Sequence, residues 1–174
     1  MKRIQINPYQ IGLVLKKGAY KLMLKEGTYW CWNKEVMIYD MTKQFIAPVE
    51  LNILLQDAAL AEALHVVEVK DNEIALQYEN SLLKQVLTAG RYTFWKGIVQ
   101  YDFVHADTSK IEITENIDRA VLQNKLLTAY VRTATIESYE KALMLVDGNY
   151  KGVMNSGVYF WWKNSIVIAI HKAD

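Results

Sequence analysis

The sequence predicts a mainly β protein of the α+β class, built as a tandem array of small β-rich units joined by short helices. An aromatic string, GTYWCW at 27–32, recurs as GRYTFW at 90–95 and GVYFWW at 157–162, with Gly, Tyr and Trp at the same three offsets. Short segments rich in β-branched and aromatic residues alternate with turn residues, which is typical of strands and hairpins. Only brief stretches near 58–64 and 125–131 have the pattern of helices.

The repeat extends well beyond the aromatic string. The strings begin 63 and 67 residues apart, and similar segments precede them: RIQINPYQIGLVLKKG, VVEVKDNEIALQYENS and TATIESYEKALMLVDG. Self-similarity at a period of about 65 residues indicates that each copy is one structural unit. We therefore divide the chain into copy 1 at 1–63, copy 2 at 64–130 and copy 3 at 131–174. Copy 3 is truncated where the first two continue into a connector, and we expect that a C-terminal portion has been removed.

Each copy is expected to contain about five strands. In copy 2 the apolar segments predict strands at 66–69, 74–78, 83–87, 91–95 and 98–104. Turns are predicted at the residue pairs that best tolerate positive φ, namely Lys17-Gly18, Asn80-Ser81 and Asp147-Gly148. A further turn of this kind is predicted ahead of the fourth strand at Gly27, Gly90 and Gly157.

The connectors between copies also match. LLQDAALAEAL at 54–64 aligns with VLQNKLLTAYV at 121–131, which places Asp57 opposite Asn124. Both residues are good N-caps for the one or two helical turns that follow. The segments 51–55 and 119–122 fit either a strand or a helix, and we favour a strand for them.

Bulky side chains occupy both faces of the fourth strand. One face carries the tyrosines of the motif together with Cys31, Phe94 and Trp161. The opposite face carries Trp30, Thr93 and Phe160, followed by Trp32, Trp95 and Trp162. A strand that is apolar on both faces is expected to be buried on both faces. A β unit of about 65 residues has only a small hydrophobic core of its own. We expect one face to pack inside the copy and the tryptophan face to meet the connector or the neighbouring copy.

The aromatic residues allow two interpretations. Residues that recur at one offset are most simply structural positions of the fold: Gly27, Tyr29, Trp32, Gly90, Tyr92, Trp95, Gly157, Tyr159 and Trp162. Trp30 and Trp161 do not recur at matching aromatic positions, so they are the candidates for an interaction surface. If these two tryptophans line a groove, the chain could instead be a glycan- or peptide-binding module.

No group of residues predicts catalysis, a metal site or a bound cofactor. The sequence has no GxSxG, P-loop or GxGxxG motif, and its three histidines, at 65, 105 and 171, form no i, i+4 pair and stand beside no cysteine. Cys31 takes the offset of Phe94 and Trp161, which favours packing over reactivity. We therefore expect a protein that is not an enzyme.

Charge and hydropathy exclude two classes of partner. Twenty Lys and Arg against nineteen Asp and Glu leave a formal net charge of +1, so no overall field favours nucleic acid or an anionic membrane. The most apolar window, 158–170, is interrupted by Lys163, Asn164 and Ser165 and is too short to cross a bilayer as a helix. We expect no nucleic-acid partner and no direct membrane insertion.

Two segments of copy 3, LMLVDGNYKGVM and SGVYFWWKNSIVIAI, resemble the opening of the stomatin, prohibitin and flotillin superfamily. The whole chain is similar to the N-terminal extension of bacterial slipins, where such units stand ahead of the band-7 (SPFH) domain. The resemblance implies a non-enzymatic scaffold, cytoplasmic and peripheral to the membrane, that forms large homo-oligomers. Its expected partners are further copies of itself, through the full-length protein, and membrane-associated proteins.

Overall fold

The computed structural model describes all residues from Met1 to Asp174. Sixteen strands, three short α-helices and one 3-10 turn follow one another along the chain. The turn residues and β-branched segments that predicted hairpins do form them, and no helix exceeds six residues. The prediction of a mainly β fold made of small units with short helices is confirmed.

Copy 1 begins with five strands that form two sheets. They are β1 (Lys2–Ile6), β2 (Gln10–Lys16), β3 (Ala19–Leu24), β4 (Gly27–Cys31) and β5 (Glu35–Asp40). β1 pairs with β4 in an antiparallel two-stranded sheet, and β2 is the central strand of a three-stranded sheet in the order β3-β2-β5. A connector follows, with β6 (Gln44–Phe45), α1 (Leu51–Leu54) and α2 (Ala58–Ala63).

Copy 2 repeats this order. Its strands are β7 (Leu64–Val69), β8 (Glu73–Glu79), β9 (Leu82–Leu87), β10 (Gly90–Trp95) and β11 (Tyr101–Asp107). β7 pairs with β10, and β8 is central between β9 and β11. The second connector contains α3 (Arg119–Leu122) and the 3-10 turn Lys125–Leu127.

Copy 3 has the same five strands. They are β12 (Val131–Ile136), β13 (Lys141–Val146), β14 (Asn149–Met154), β15 (Gly157–Trp162) and β16 (Ile168–Ala173). β12 pairs with β15, and β13 is central between β14 and β16. The topology is therefore identical in all three copies, with the first strand on the fourth and the second between the third and the fifth.

The hairpin turns explain why the second and third strands fold back in the same way each time. Both residues of Lys17-Gly18, Asn80-Ser81 and Asp147-Gly148 have positive φ, between 47° and 77°. Two consecutive residues at positive φ make the type I′ turn, whose twist matches that of the flanking strands. In copies 1 and 3 the pairing of the second strand with the third also shifts register at the same place, after Val14 and after Met144.

The prediction of strands at 51–55 and 119–122 is wrong, because both segments form a helical turn. Glu50 caps α1, since its Oε1 accepts a hydrogen bond from the backbone N–H of Asn52 at 3.1 Å. The turn directs Leu54 into the core, where it is fully buried. Asp57 and Asn124 act as N-caps as predicted, accepting hydrogen bonds from the backbone N–H groups of Ala59 and Leu126.

The difference between the two repeat spacings lies in one loop. Asp40 ends β5 at 13 residues after Gly27, whereas Asp107 ends β11 at 17 residues after Gly90. In copy 1 the chain turns from β4 into β5 through Asn33, which has a φ of 53°. Copy 1 therefore lacks four residues that follow the aromatic string in the other copies.

The residues form two compact units, and the middle copy contributes to both. The first unit comprises Met1–Glu68, Tyr78–Leu82 and Arg91–Asp102, and the second comprises Val69–Gln77, Leu83–Gly90 and Phe103–Asp174. The core of the first unit contains residues of β2, of the first connector, of β7 and of β10: Ile11, Leu13, Leu15, Phe45, Leu54, Leu60, Leu64 and Trp95. The second unit has a core of Ile111, Ile136, Ala142, Met154 and Trp161.

Candidate functional site

The glycine and the tyrosine of the aromatic string form a local structural device. Gly27 and Gly157 have φ near 150°, a conformation that favours glycine. A Cβ at Gly27 would lie 3.3 Å from the ring of Tyr29, so the ring packs directly over the glycine. The Tyr29 hydroxyl donates to the carbonyl of Lys25 at 2.9 Å, and the Tyr159 hydroxyl donates to that of Asn155 at 2.8 Å. The motif therefore fixes the entry of the fourth strand.

The fourth strand of copy 3 is covered by the connector that precedes it. The backbone N–H of Trp162 donates to the carbonyl of Ile111 at 2.9 Å, and that of Lys163 donates to the carbonyl of Tyr130 at 2.8 Å. The indole N–H of Trp162 also donates to Glu115 Oε2 at 3.3 Å. Trp162 is consequently 0% exposed.

The same connector covers the neighbouring aromatic ring. The guanidinium of Arg119, on α3, lies 5.9 Å from the centre of the Phe160 ring, within the range of a cation–π contact. The side-chain amide of Asn164 donates to the carbonyls of Thr108 and Lys110, both at 2.9 Å. Side chains and backbone of the connector thus hold one edge of β15.

Glu115 is the charged residue at this junction. Burial raises its pKa, but hydrogen bonds from its own backbone N–H and from that of Asp107, together with nearby Lys110 and the Trp162 indole, outweigh burial and hold it below the usual value. The carboxylate is therefore an ionised acceptor for the indole N–H.

The fourth strand of copy 2 is covered by the first connector in a similar way. β6 pairs with β10 so that Phe45 lies opposite Thr93, whose hydroxyl donates to the carbonyl of Phe45 at 2.8 Å. The backbone N–H of Lys96 donates to the carbonyl of Ala63 at 2.9 Å, which matches the bond between Lys163 and Tyr130. Trp95 is 0% exposed and its ring centre lies 4.8 Å from that of Phe45. The prediction that this tryptophan meets the connector or the neighbouring copy is confirmed, since Trp95 packs with residues of both.

The covered fourth strands of copies 2 and 3 differ in the hydrogen bonding of their tryptophans. The indole N–H of Trp95 is buried without a hydrogen-bond partner, whereas that of Trp162 has Glu115. Pro48 occupies the position in the first connector that Glu115 occupies in the second, so the first connector has no carboxylate at this place. A buried donor without a partner costs free energy.

Copy 1 presents the same strand without a cover. β4 pairs only with β1. Neither Trp32 nor Asn33 makes a backbone bond equivalent to those of Trp162 and Lys163. Trp32 is 76% exposed and Trp30 is 64% exposed. The expectation that Trp32 packs in a core like Trp95 and Trp162 is therefore wrong.

The two exposed tryptophans line a groove of about 360 Å³. The other residues of this groove are Val14, Leu22, Leu24, Tyr29, Cys31 and Lys34. Cys31 is half-buried in its wall and is not bonded to another cysteine. We call these residues, together with the free edge of β4, the β4 groove.

Trp161 does not belong to an exposed surface. It is 9% exposed and stacks on Tyr159, with ring centres 5.9 Å apart and planes at 9°. It lies in the core of the second unit with Ile136 and Ala142. The prediction that Trp161 lies on an interaction surface is therefore wrong. Of the two candidates, only Trp30 is exposed to solvent.

Three titratable residues outside the β4 groove lie near charged side chains, namely Tyr20, His65 and His105. The Tyr20 hydroxyl donates to Asp57 Oδ2 at 2.6 Å, and burial, this bond and the charge of Asp57 raise the tyrosine pKa well above its usual value. Burial, followed by the charge of Lys96, lowers the pKa of His65. His105 pairs with Glu73 at 3.7 Å. No three His, Cys, Asp or Glu side chains lie close enough together to hold a metal ion.

None of the helices has the length and hydropathy needed to pass through a lipid bilayer. Comparison of the chain with models of known protein families, with curated proteins and with solved structures finds no match.

Proposed function

We propose that the chain is a non-enzymatic assembly module that binds other polypeptides through uncovered strands and faces of its copies. One observation carries the proposal. The fourth strand is covered by the preceding connector in copies 2 and 3, whereas the equivalent strand in copy 1 is open and bears two exposed tryptophans. Large exposed aromatic side chains next to a free strand edge are typical of protein interaction sites.

Copy 3 has an uncovered face of a different kind. Leu143 of β13 is 45% exposed, whereas Leu13, at the same position of copy 1, is fully buried with Leu54 and Leu60 of the first connector. Val153 and His171 lie opposite Leu143 on the two neighbouring strands and line an apolar groove of about 310 Å³ with it. An exposed apolar groove of this kind is typical of a protein interaction site.

We place this module in a stomatin-like scaffold that is cytoplasmic and peripheral to the membrane. The support is the resemblance of the repeated aromatic hairpins to the slipin N-terminal extension. In that setting the partners are further copies of the same protein and membrane-associated proteins. The role of the chain is then assembly and not catalysis.

Sedimentation of the full chain tests the assembly function. We expect the average mass to rise with concentration, and Leu143→Ser to reduce this association because it removes apolar area from the open face of copy 3. Leu82→Ser is the matched control, since Leu82 is an exposed leucine of the middle copy. A chain that stays monomeric at all accessible concentrations, or that loses association equally in both variants, would contradict self-assembly as its function.

Glycan binding is the second candidate, and the exposure of Trp30 and Trp32 favours it because flat aromatic rings can stack on sugars. Soluble oligosaccharides that shift the indole signals of these two residues would support this alternative over assembly.

A further inference from the structure

The β4 groove occupies a position that the chain itself fills twice elsewhere. Trp32 corresponds to Trp95 and Trp162, and Trp30 corresponds to Thr93 and Phe160. At each of the two filled positions the cover is a connector from the preceding copy. The internal repeat therefore indicates what kind of segment fits the unfilled position.

We propose that the β4 groove binds a connector-like segment of another polypeptide. Such a segment has a short extended stretch that adds to the strand edge, followed by a helical turn with an Asp or Asn cap and a buried leucine. The inference rests on the proposed assembly function and specifies which kind of segment binds the open strand β4. This is recognition by strand addition, in which main-chain hydrogen bonds give affinity and side-chain pockets give specificity.

The two connectors define the required features by what they share. Each provides a backbone carbonyl near its end to the residue after the tryptophan, from Ala63 in the first and Tyr130 in the second. Each has an N-cap, Asp57 or Asn124, followed three residues later by a leucine, Leu60 or Leu127, that is fully buried. In copy 1 the donors that would receive such a segment are the backbone N–H groups of Trp32 and Asn33.

The side chains of the β4 groove favour a segment like the second connector over one like the first. Trp32 exposes an indole N–H, and the second connector has Glu115 as the acceptor for this group, whereas the first has Pro48.

The neighbouring ring gives a second reason. Trp30 is aromatic, as is Phe160, over which Arg119 lies. The first connector has Asn52 at the position of Arg119, and copy 2 has the non-aromatic Thr93 at the position of Phe160. An aromatic ring at Trp30 therefore matches a partner with a cation at this place.

A synthetic peptide of residues 108–131 is the probe for this site. It is titrated into the full chain labelled with ¹⁵N, and the five tryptophan indole N–H signals are followed by NMR. We expect the signals of Trp30 and Trp32 to shift and those of the buried tryptophans to stay. A peptide of residues 41–64 should bind more weakly, because it lacks the equivalents of Glu115 and Arg119.

Variants separate binding at the groove from non-specific association. Trp32→Ala should weaken peptide binding about tenfold or more, as expected for a central aromatic residue of an interface. Tyr139→Ala is the matched control, since it removes an exposed aromatic side chain from copy 3, and should leave binding unchanged. Because both residues are exposed, both variants should keep the wild-type melting temperature. In the peptide, Glu115→Gln and Arg119→Ala should each reduce affinity several-fold.

Two results would overturn the inference: no peptide binding, or binding that Trp32→Ala and Tyr139→Ala affect equally. The sedimentation experiment reports on the assembly function separately. Self-association without peptide binding would reject the β4 groove as a connector site and leave the assembly function standing. Peptide binding at Trp32 in a chain that does not self-associate would support the groove and point to a partner other than this chain.

Discussion

At the scale of single residues, three tryptophans at one offset have three different environments. Trp162 is buried and donates to Glu115, Trp95 is buried with its indole N–H unpaired, and Trp32 is exposed. The residue type is the same each time, so the difference comes from the segment that lies against it. Sequence alone could identify the shared offset but could not indicate which of the three positions has a cover.

Replacing the two buried tryptophans with phenylalanine tests this contrast. Trp162→Phe removes a hydrogen bond to a charged group, whereas Trp95→Phe removes a donor that has no partner. We expect Trp162→Phe to lower the free energy of unfolding by about 1–2 kcal/mol more than Trp95→Phe does, since such bonds contribute about 1.5–3 kcal/mol. Urea unfolding followed by circular dichroism measures both values. Equal losses, or a larger loss for Trp95→Phe, would show that the indole partner is unimportant.

Trp161 shows how a residue can be misassigned from its type. Its offset is taken by Cys31 and Phe94 in the other copies, so the lack of an exact aromatic match suggested a surface role. In the structure this strand face packs inward, and Trp161 lies against Tyr159 in a core. Alternation along the strand placed Trp161 on the same face as Tyr159, and this pattern was a better indicator than the difference between copies.

At the scale of elements, the first four strands of copy 2 were predictable because turn residues mark their ends, whereas the fifth, predicted at 98–104, forms at Tyr101–Asp107. Lys17-Gly18, Asn80-Ser81 and Asp147-Gly148 have the positive φ values that the sequence predicted. The helical turns at 51–54 and 119–122 were not predictable in this way. Their residues are too few to show a helical period, and LNIL is apolar at three of four positions, which suits a buried strand equally well. Burial of Leu54 and capping by Glu50 decide the outcome.

The role of α1 can be tested with two neighbouring residues. Leu54 is fully buried with Leu13 and Trp95 in the core of the first unit, whereas Ile53, one position earlier, is largely exposed. Leu54→Ala should lower the free energy of unfolding by about 2–5 kcal/mol, because it leaves a cavity in a packed core. Ile53→Ala should change it by about 0.5 kcal/mol or less. Chemical denaturation of the two variants gives the comparison, and similar losses would mean that α1 does not pack as described.

At the scale of the whole molecule, the connectors are part of the cores and not only links between copies. The first connector supplies Phe45, Leu54 and Leu60 to the core that contains β2 and β10. The middle copy accordingly contributes to both compact units, although the repeat in the sequence divides at 63 and 130. A repeat found in sequence identifies equivalent residues, whereas the compact units depend on which segments pack together.

The pattern of covered and exposed tryptophan positions underlies both the assembly function and the β4 groove. Its most direct test is the solvent accessibility of the five indole N–H groups, measured by NMR with a soluble paramagnetic agent. We predict strong broadening for Trp30 and Trp32 and protection for Trp95, Trp161 and Trp162. Protection of Trp32, or broadening of Trp95 or Trp162 to the same extent, would contradict it.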